Sequence, residues 1–130
     1  MKRLILNRNG SYREFLEWYF RFLTETFGIT IHESERELLV EFMSLSGKPV
    51  YEYDRFGRIS RNRVIQEYNN SGRKMTLDNL NTKLSNLKKR NIIFKEEDGL
   101  LRLNKNIAKG IEEARRGSGI IIEHNFKIDG

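Results

Sequence analysis

The sequence predicts a mainly helical α+β domain, and three observations lead there. Helix-start signals recur along the chain (Ser11-Tyr12-Arg13-Glu14, Ser34-Glu35-Arg36-Glu37 and Thr76), each followed by apolar residues at helical spacing. Two short apolar runs, Ile92-Ile93-Phe94-Lys95 and Leu100-Leu101-Arg102-Leu103, flank Glu96-Glu97-Asp98-Gly99, whose Asp-Gly step is a hairpin signal. Short β-prone stretches stand near either end, at 2–6 and 120–128. A chain of 130 residues with 38% hydrophobic and 11% aromatic side chains has enough apolar material for one folded domain and too much for a disordered one.

Taken in order, residues 2–6 suit an edge strand and Asn7-Arg8-Asn9-Gly10 a turn. A helix follows from near Tyr12. Its residues Tyr12, Phe15, Leu16, Trp18, Tyr19, Phe20, Phe22, Leu23 and Phe27 fill an arc of about 200° on a helical wheel, and Gly28 is a natural stop. A face that broad belongs either to a central core helix or to a subunit interface, for which Phe15, Trp18, Tyr19 and Phe22 are the candidates. The Ser34 capping box opens a second helix carrying Leu38, Leu39, Phe42, Met43 and Leu45 and closing at Ser46-Gly47. Lys48-Pro49 then reads as a break and Val50-Tyr51-Glu52-Tyr53 as a strand. Ser60 is expected to cap a short helix to about Tyr68, with Ile59 and Val64 as its staple. Thr76 caps the next helix, striped by Leu77, Leu80, Leu84 and Leu87. After the hairpin, Asn104 or Asn106 starts a helix over about 106–116. Arg115-Arg116-Gly117-Ser118-Gly119 is a joint, and Ile120, Ile122, His124, Phe126 and Ile128 share one face of a last strand. The domain divides into an extension (1–28), a core (34–103) and a C-terminal helix and strand (104–130).

Charge is unevenly placed. The net charge is +6, yet residues 55–90 alone hold ten basic side chains against Glu67 and Asp78. A cationic face of that kind is the footprint of a polyanion binder, DNA or RNA, unless acidic neighbours balance it in space.

The order from Ser34 to Leu103 resembles the winged helix-turn-helix family of bacterial, archaeal and phage DNA-binding proteins. The local match is Thr76-Leu77-Asp78-Asn79-Leu80 through Leu84-Ser85-Asn86-Leu87-Lys88-Lys89-Arg90-Asn91-Ile92-Ile93. In that family a leucine-striped recognition helix ends in basic residues and passes through a turn residue, here Asn91, into the hairpin called the wing. The resemblance implies a three-helix core plus wing and binding of double-stranded DNA, with Asn79, Thr82, Lys83 and Asn86 facing base edges. Arg58, Arg61, Arg63, Arg73, Lys74, Lys89 and Arg90 then suit phosphate contacts. A wing tip of Glu96-Glu97-Asp98 departs from the usual basic wing, so it is expected to point away from phosphate or meet a protein.

Two functions follow as expectations. One is a sequence-specific or architectural DNA-binding protein, acting in transcription, replication or packaging as a homodimer or in a larger assembly. The other is a virion or replisome assembly protein using the fold for protein contacts. Usage rich in Ile and Asn and poor in Ala points to an AT-rich genome, a low-GC bacterium or its phage. Enzymatic readings are poorly supplied, with no Cys, two His and no Gly-rich phosphate loop. His32 beside Glu33, Glu35 and Glu37 reads as helix-start acids rather than metal ligands. No cofactor, small-molecule substrate or membrane contact is expected. The apolar start ends at Asn7, too short for a secretory signal, so a cytoplasmic location (host cytoplasm or virion) is expected.

Overall fold

The computed structural model describes residues 2–5, 11–116 and 121–124, and, among the strands and the last helix, the side chains of 93–95, 101–103 and 105–114. The elements are β1 (Lys2–Ile5), α1 (Tyr12–Phe27), α2 (Glu33–Met43), α3 (Pro49–Tyr53), α4 (Arg58–Asn70), α5 (Leu77–Lys89), β2 (Ile93–Lys95), β3 (Leu101–Leu103), α6 (Lys105–Arg116) and β4 (Ile121–His124). The protein is therefore mainly helical, with antiparallel pairs β1–β4 and β2–β3.

Helix α1 begins and ends as its sequence dictates. Ser11 Oγ accepts the Glu14 N–H at 3.1 Å, and Gly28 takes the left-handed conformation, φ 69°, that closes the last turn. Its residues Leu16, Tyr19, Phe20 and Leu23 are fully buried, while Tyr12, Phe15 and Phe22 are partly covered. The core reading of this helix therefore holds for most of its apolar arc. Helix α2 is the hub, packing on α1, α4 and α5 through Leu38, Leu39, Val40 and Phe42.

Two elements depart from the sequence reading. Residues 50–53 form helix α3 rather than a strand. Pro49 sits at the first helical position, where its missing N–H costs nothing, and burial of Tyr51 outweighs β-propensity. Helix α4 starts at Arg58 with Gly57 as N-cap, not at a Ser60 cap. The Ser60 hydroxyl instead donates to the Asp54 carbonyl at 3.0 Å, and Ile59 is exposed, so the Ile59–Val64 staple does not form. A smaller shift occurs at α2. It begins at Glu33 and ends at Met43, with the Glu35 carboxylate accepting the His32 N–H at 2.9 Å.

Thr76 caps α5 by accepting the Asn79 N–H at 3.1 Å, and Leu80, Leu84 and Leu87 turn into the core. Asn91 takes positive φ, 60°, as the turn between α5 and β2, a conformation Asn tolerates better than most residues. Its carbonyl accepts the Asn104 side-chain amide at 2.9 Å, tying the start of the hairpin to its end. Strands β2 and β3 pair Ile93 with Leu103 and Lys95 with Leu101. Near the termini β1 pairs with β4, Lys2 opposite His124 and Ile5 opposite Ile121. The expected 7–10 turn, the 117–119 joint and the shared face of Ile120, Ile122, His124, Phe126 and Ile128 lie outside the described residues and side chains. Among the described residues no helix is long and apolar enough to cross a membrane.

Candidate nucleic-acid interface

Helix α5 buries one stripe and leaves the rest of its circumference open. Asn79, Thr82 and Asn86, spaced so that they share a side of the helix, are all exposed. Lys83 lies on the same side but leans back, half-buried, with its Nζ donating to Ser34 Oγ at 3.2 Å. Asp78 occupies the first turn and Lys88 and Lys89 the last, each the charge sign that the helix dipole favours at that end.

The basic residues of 55–90 divide by partner. Arg58, Lys74, Lys88 and Lys89 are exposed and have no carboxylate partner among the described residues. Arg63 is exposed and pairs with Glu67 one turn on at 2.6 Å. Arg61 is half-buried, donating to the Phe56 carbonyl at 2.7 Å and to the Asn81 side chain at 2.8 Å, which joins α4 to α5. Burial lowers its pKa below the ordinary value, against the smaller opposing effect of Asp54.

Arg73 and Arg90 are held differently. Arg73 bonds the buried Glu41 carboxylate at 2.7 Å and Ser71 Oγ at 2.7 Å, with its guanidinium carbon 4.2 Å above the Tyr68 ring. Arg13 of α1 bonds the same Glu41 oxygen. Arg90 bonds the buried Glu35 carboxylate and the Thr30 carbonyl. Burial pushes the Glu41 carboxyl up, but the bonds and charges of Arg13 and Arg73 outweigh it and hold its pKa below the ordinary value. Glu35 and Glu41 did not figure among the expected site residues. A signal existed for Glu41, an acid inside the apolar run Leu38-Leu39-Val40-Glu41-Phe42, which requires a cationic partner when buried.

At the hairpin tip, Arg102 reaches Asp98 at 3.0 Å and Glu96 at 3.7 Å, leaving Glu97 exposed. The Leu100 N–H, then Arg102, hold the Asp98 pKa below its ordinary value. The tip therefore stays acidic at neutral pH.

Of the residues expected at an interface, Tyr19 is a correction. It is fully buried within its own chain, its hydroxyl donating to the Ile107 carbonyl of α6 at 3.1 Å, so it is core. Phe15 and Phe22 are half-buried, and Trp18 is 41% exposed, its ring stacked on Phe22 with centroids 5.2 Å apart. A cleft of about 340 Å³ between α3, the hairpin and α6 has Met43, Phe56 and Leu103 on its walls and mixed charges at its rim. No family model, curated protein or solved structure matches this chain.

Proposed function

We propose that the chain is a winged-helix protein that binds double-stranded DNA through α5. In this reading α2, α4 and α5 are the three-helix core and β2–β3 the wing. The observation that carries it is the composition of the open surface at α5. The exposed amides and hydroxyl of Asn79, Thr82 and Asn86 can bond base edges in a major groove, and Arg58, Lys74, Lys88 and Lys89 stand ready for phosphates without a carboxylate among the described residues competing for them. Lys83 completes the base-reading set on leaving Ser34. Arg61 and Arg63 are weaker phosphate candidates because each already has a partner, and Arg73 and Arg90 weaker still. The acidic hairpin tip lies away from the duplex. The protein serves a phage or low-GC bacterium in transcription, replication or packaging, works in the cytoplasm, and needs no cofactor.

A second reading has its own support. Carboxylates of α2 take up two of the basic residues, the hairpin tip is acidic, and Trp18 with Phe22 leaves an aromatic edge open. These features suit an assembly protein that makes protein contacts. They also suit self-association of a DNA-binding dimer, which would place two copies of α5 on adjacent half-sites.

Selection of duplexes from a random pool, followed by titration of the winner against a scrambled duplex, separates the readings. DNA binding through α5 gives a preferred sequence whose advantage shrinks in Asn86→Ala. Equal recovery of all duplexes at the level of an empty matrix would leave the assembly reading standing alone.

A further inference from the structure

We infer that Glu35 and Glu41 are positioning residues, two buried carboxylates of α2 that fix the direction of α5 by holding its C-cap and the segment that leads into it. This rests on the DNA-binding reading above. Arg73 lies three residues before the Thr76 cap, and Arg90 is the C-cap itself. Between them α5 runs 13 residues, roughly 20 Å at the usual helical rise. Arg73 bonds Glu41 near the end of α2, and Arg90 bonds Glu35 in its first turn. The helix is thus tied to α2 directly at its C-cap and, ahead of its N-cap, through the segment that leads into it.

The apolar stripe alone cannot do this. Leu80, Leu84 and Leu87 set which side of α5 faces inward, but their burial is non-directional and does not fix the tilt of its axis. Guanidinium–carboxylate bonds are directional, and the planar fork of Arg fixes orientation as well as distance. Buried ion pairs are also a poor means to stability, since apolar residues of similar volume often serve as well or better. Their placement beside α5, whose outer face carries the exposed amides of Asn79 and Asn86, therefore speaks for geometry. Base-edge bonds from Asn79 and Asn86 require the helix at a set angle in the groove. Glu41 adds a third tie through Arg13, so the same carboxylate locks α1 to the segment leading into α5.

The test uses the full chain and a preferred duplex selected as described above. Its readouts are the affinity ratio between preferred and scrambled duplex, and the salt dependence of binding to the scrambled one. Glu35→Gln and Glu41→Gln are expected to lower the ratio about tenfold each, the equivalent of one base contact, through weaker binding of the preferred duplex. A fall that comes only from tighter binding of the scrambled duplex with a steeper salt slope, the sign of a freed arginine on phosphate, would overturn the positioning role. Leu23→Ala, a core truncation in α1, is the control for lost stability, and should leave the ratio unchanged at a temperature where it is folded. Should either Gln variant fail to fold, Arg90→Lys and Arg73→Lys keep the charge but lose the fork, and should lower the ratio in the same way. A ratio within twofold of the parent in folded Glu35→Gln and Glu41→Gln, or an equal fall in Leu23→Ala, would overturn the positioning role and leave DNA binding intact. A parent chain that retains duplexes without any preference would overturn the positioning role alone, and one that retains none above an empty matrix would overturn both.

Discussion

Glu41 is almost wholly buried, with 4% of its side chain exposed, while its partners Arg13 and Arg73 are 44% and 36% exposed. Removing the carboxylate leaves those arginines free to turn to water, so Glu41→Gln is expected to cost about 1–3 kcal/mol, less than breaking a fully buried pair. The sign with pH follows from the direction of the shift. The folded-state pKa lies below the ordinary 4.5, so this stabilisation is fully present above 4.5 and is lost as pH falls through the depressed value. Denaturant midpoints measured between neutral pH and about pH 3 should fall on the acid side, and fall less steeply in Glu41→Gln. Parallel profiles for the two proteins would show that Glu41 does not carry the acid sensitivity. At the proposed DNA face, Asn79→Ala and Asn86→Ala should each lose on the order of 1–3 kcal/mol of discrimination between preferred and scrambled duplexes. Lys89→Ala should weaken both duplexes alike, and a loss confined to the preferred duplex would make Lys89 a base reader instead.

Among the elements, α5 gives the sharpest stability contrast. Leu84 is 3% exposed and Asn79 fully on the open side, so Leu84→Ala should cost about 2–5 kcal/mol and Asn79→Ala little. Equal thermal shifts for the two would put the helix in a different rotational phase. That phase is readable because Leu80, Leu84 and Leu87 repeat at helical spacing behind a Thr cap, although Leu77 of the expected stripe is 48% exposed in the first turn, and local signals of this kind also indicate α1 and the hairpin. Helix α3 was not readable, since Val50-Tyr51-Glu52-Tyr53 is β-prone locally and only the burial of Tyr51 and the placement of Pro49 decide for a helix. The start of α4 was obscured in the same way, because Ser60 spends its hydroxyl on Asp54 rather than on its own helix. For the interface, charge along the chain located the basic segment but not its internal division. Which arginines meet Glu35 and Glu41 is a matter of contacts 32 and 55 residues apart in sequence, which no local pattern encodes. Tyr19 was misplaced for a like reason, its partner Ile107 being 88 residues away.

Across the whole molecule, the broad apolar face of α1 is mostly consumed within the chain, and what remains open is the edge formed by Trp18 and Phe22. Strands β1 and β4 satisfy one edge of each other. Association through the Trp18–Phe22 edge is expected to yield a dimer or larger species at tens of micromolar, measured by sedimentation, and Trp18→Ala to shift it toward monomer. A parent chain that sediments as a monomer at that concentration would remove the dimer and make this edge ordinary surface. Deleting residues 1–28 should unfold the protein outright, because it takes away Leu16, Tyr19, Phe20 and Leu23, each at 0% exposure.

The most direct measurement of the central claim is a titration of duplex DNA by the full chain at several salt concentrations. Four exposed cations without carboxylate partners among the described residues, Arg58, Lys74, Lys88 and Lys89, imply that log K falls with log[salt] with a slope of roughly −3 to −4, about −0.9 for each phosphate neutralised. Lys89→Ala should make that slope shallower by about 0.9. Binding indifferent to salt, or no binding at ~50 mM salt, where such contacts are strong, would contradict DNA recognition by α5.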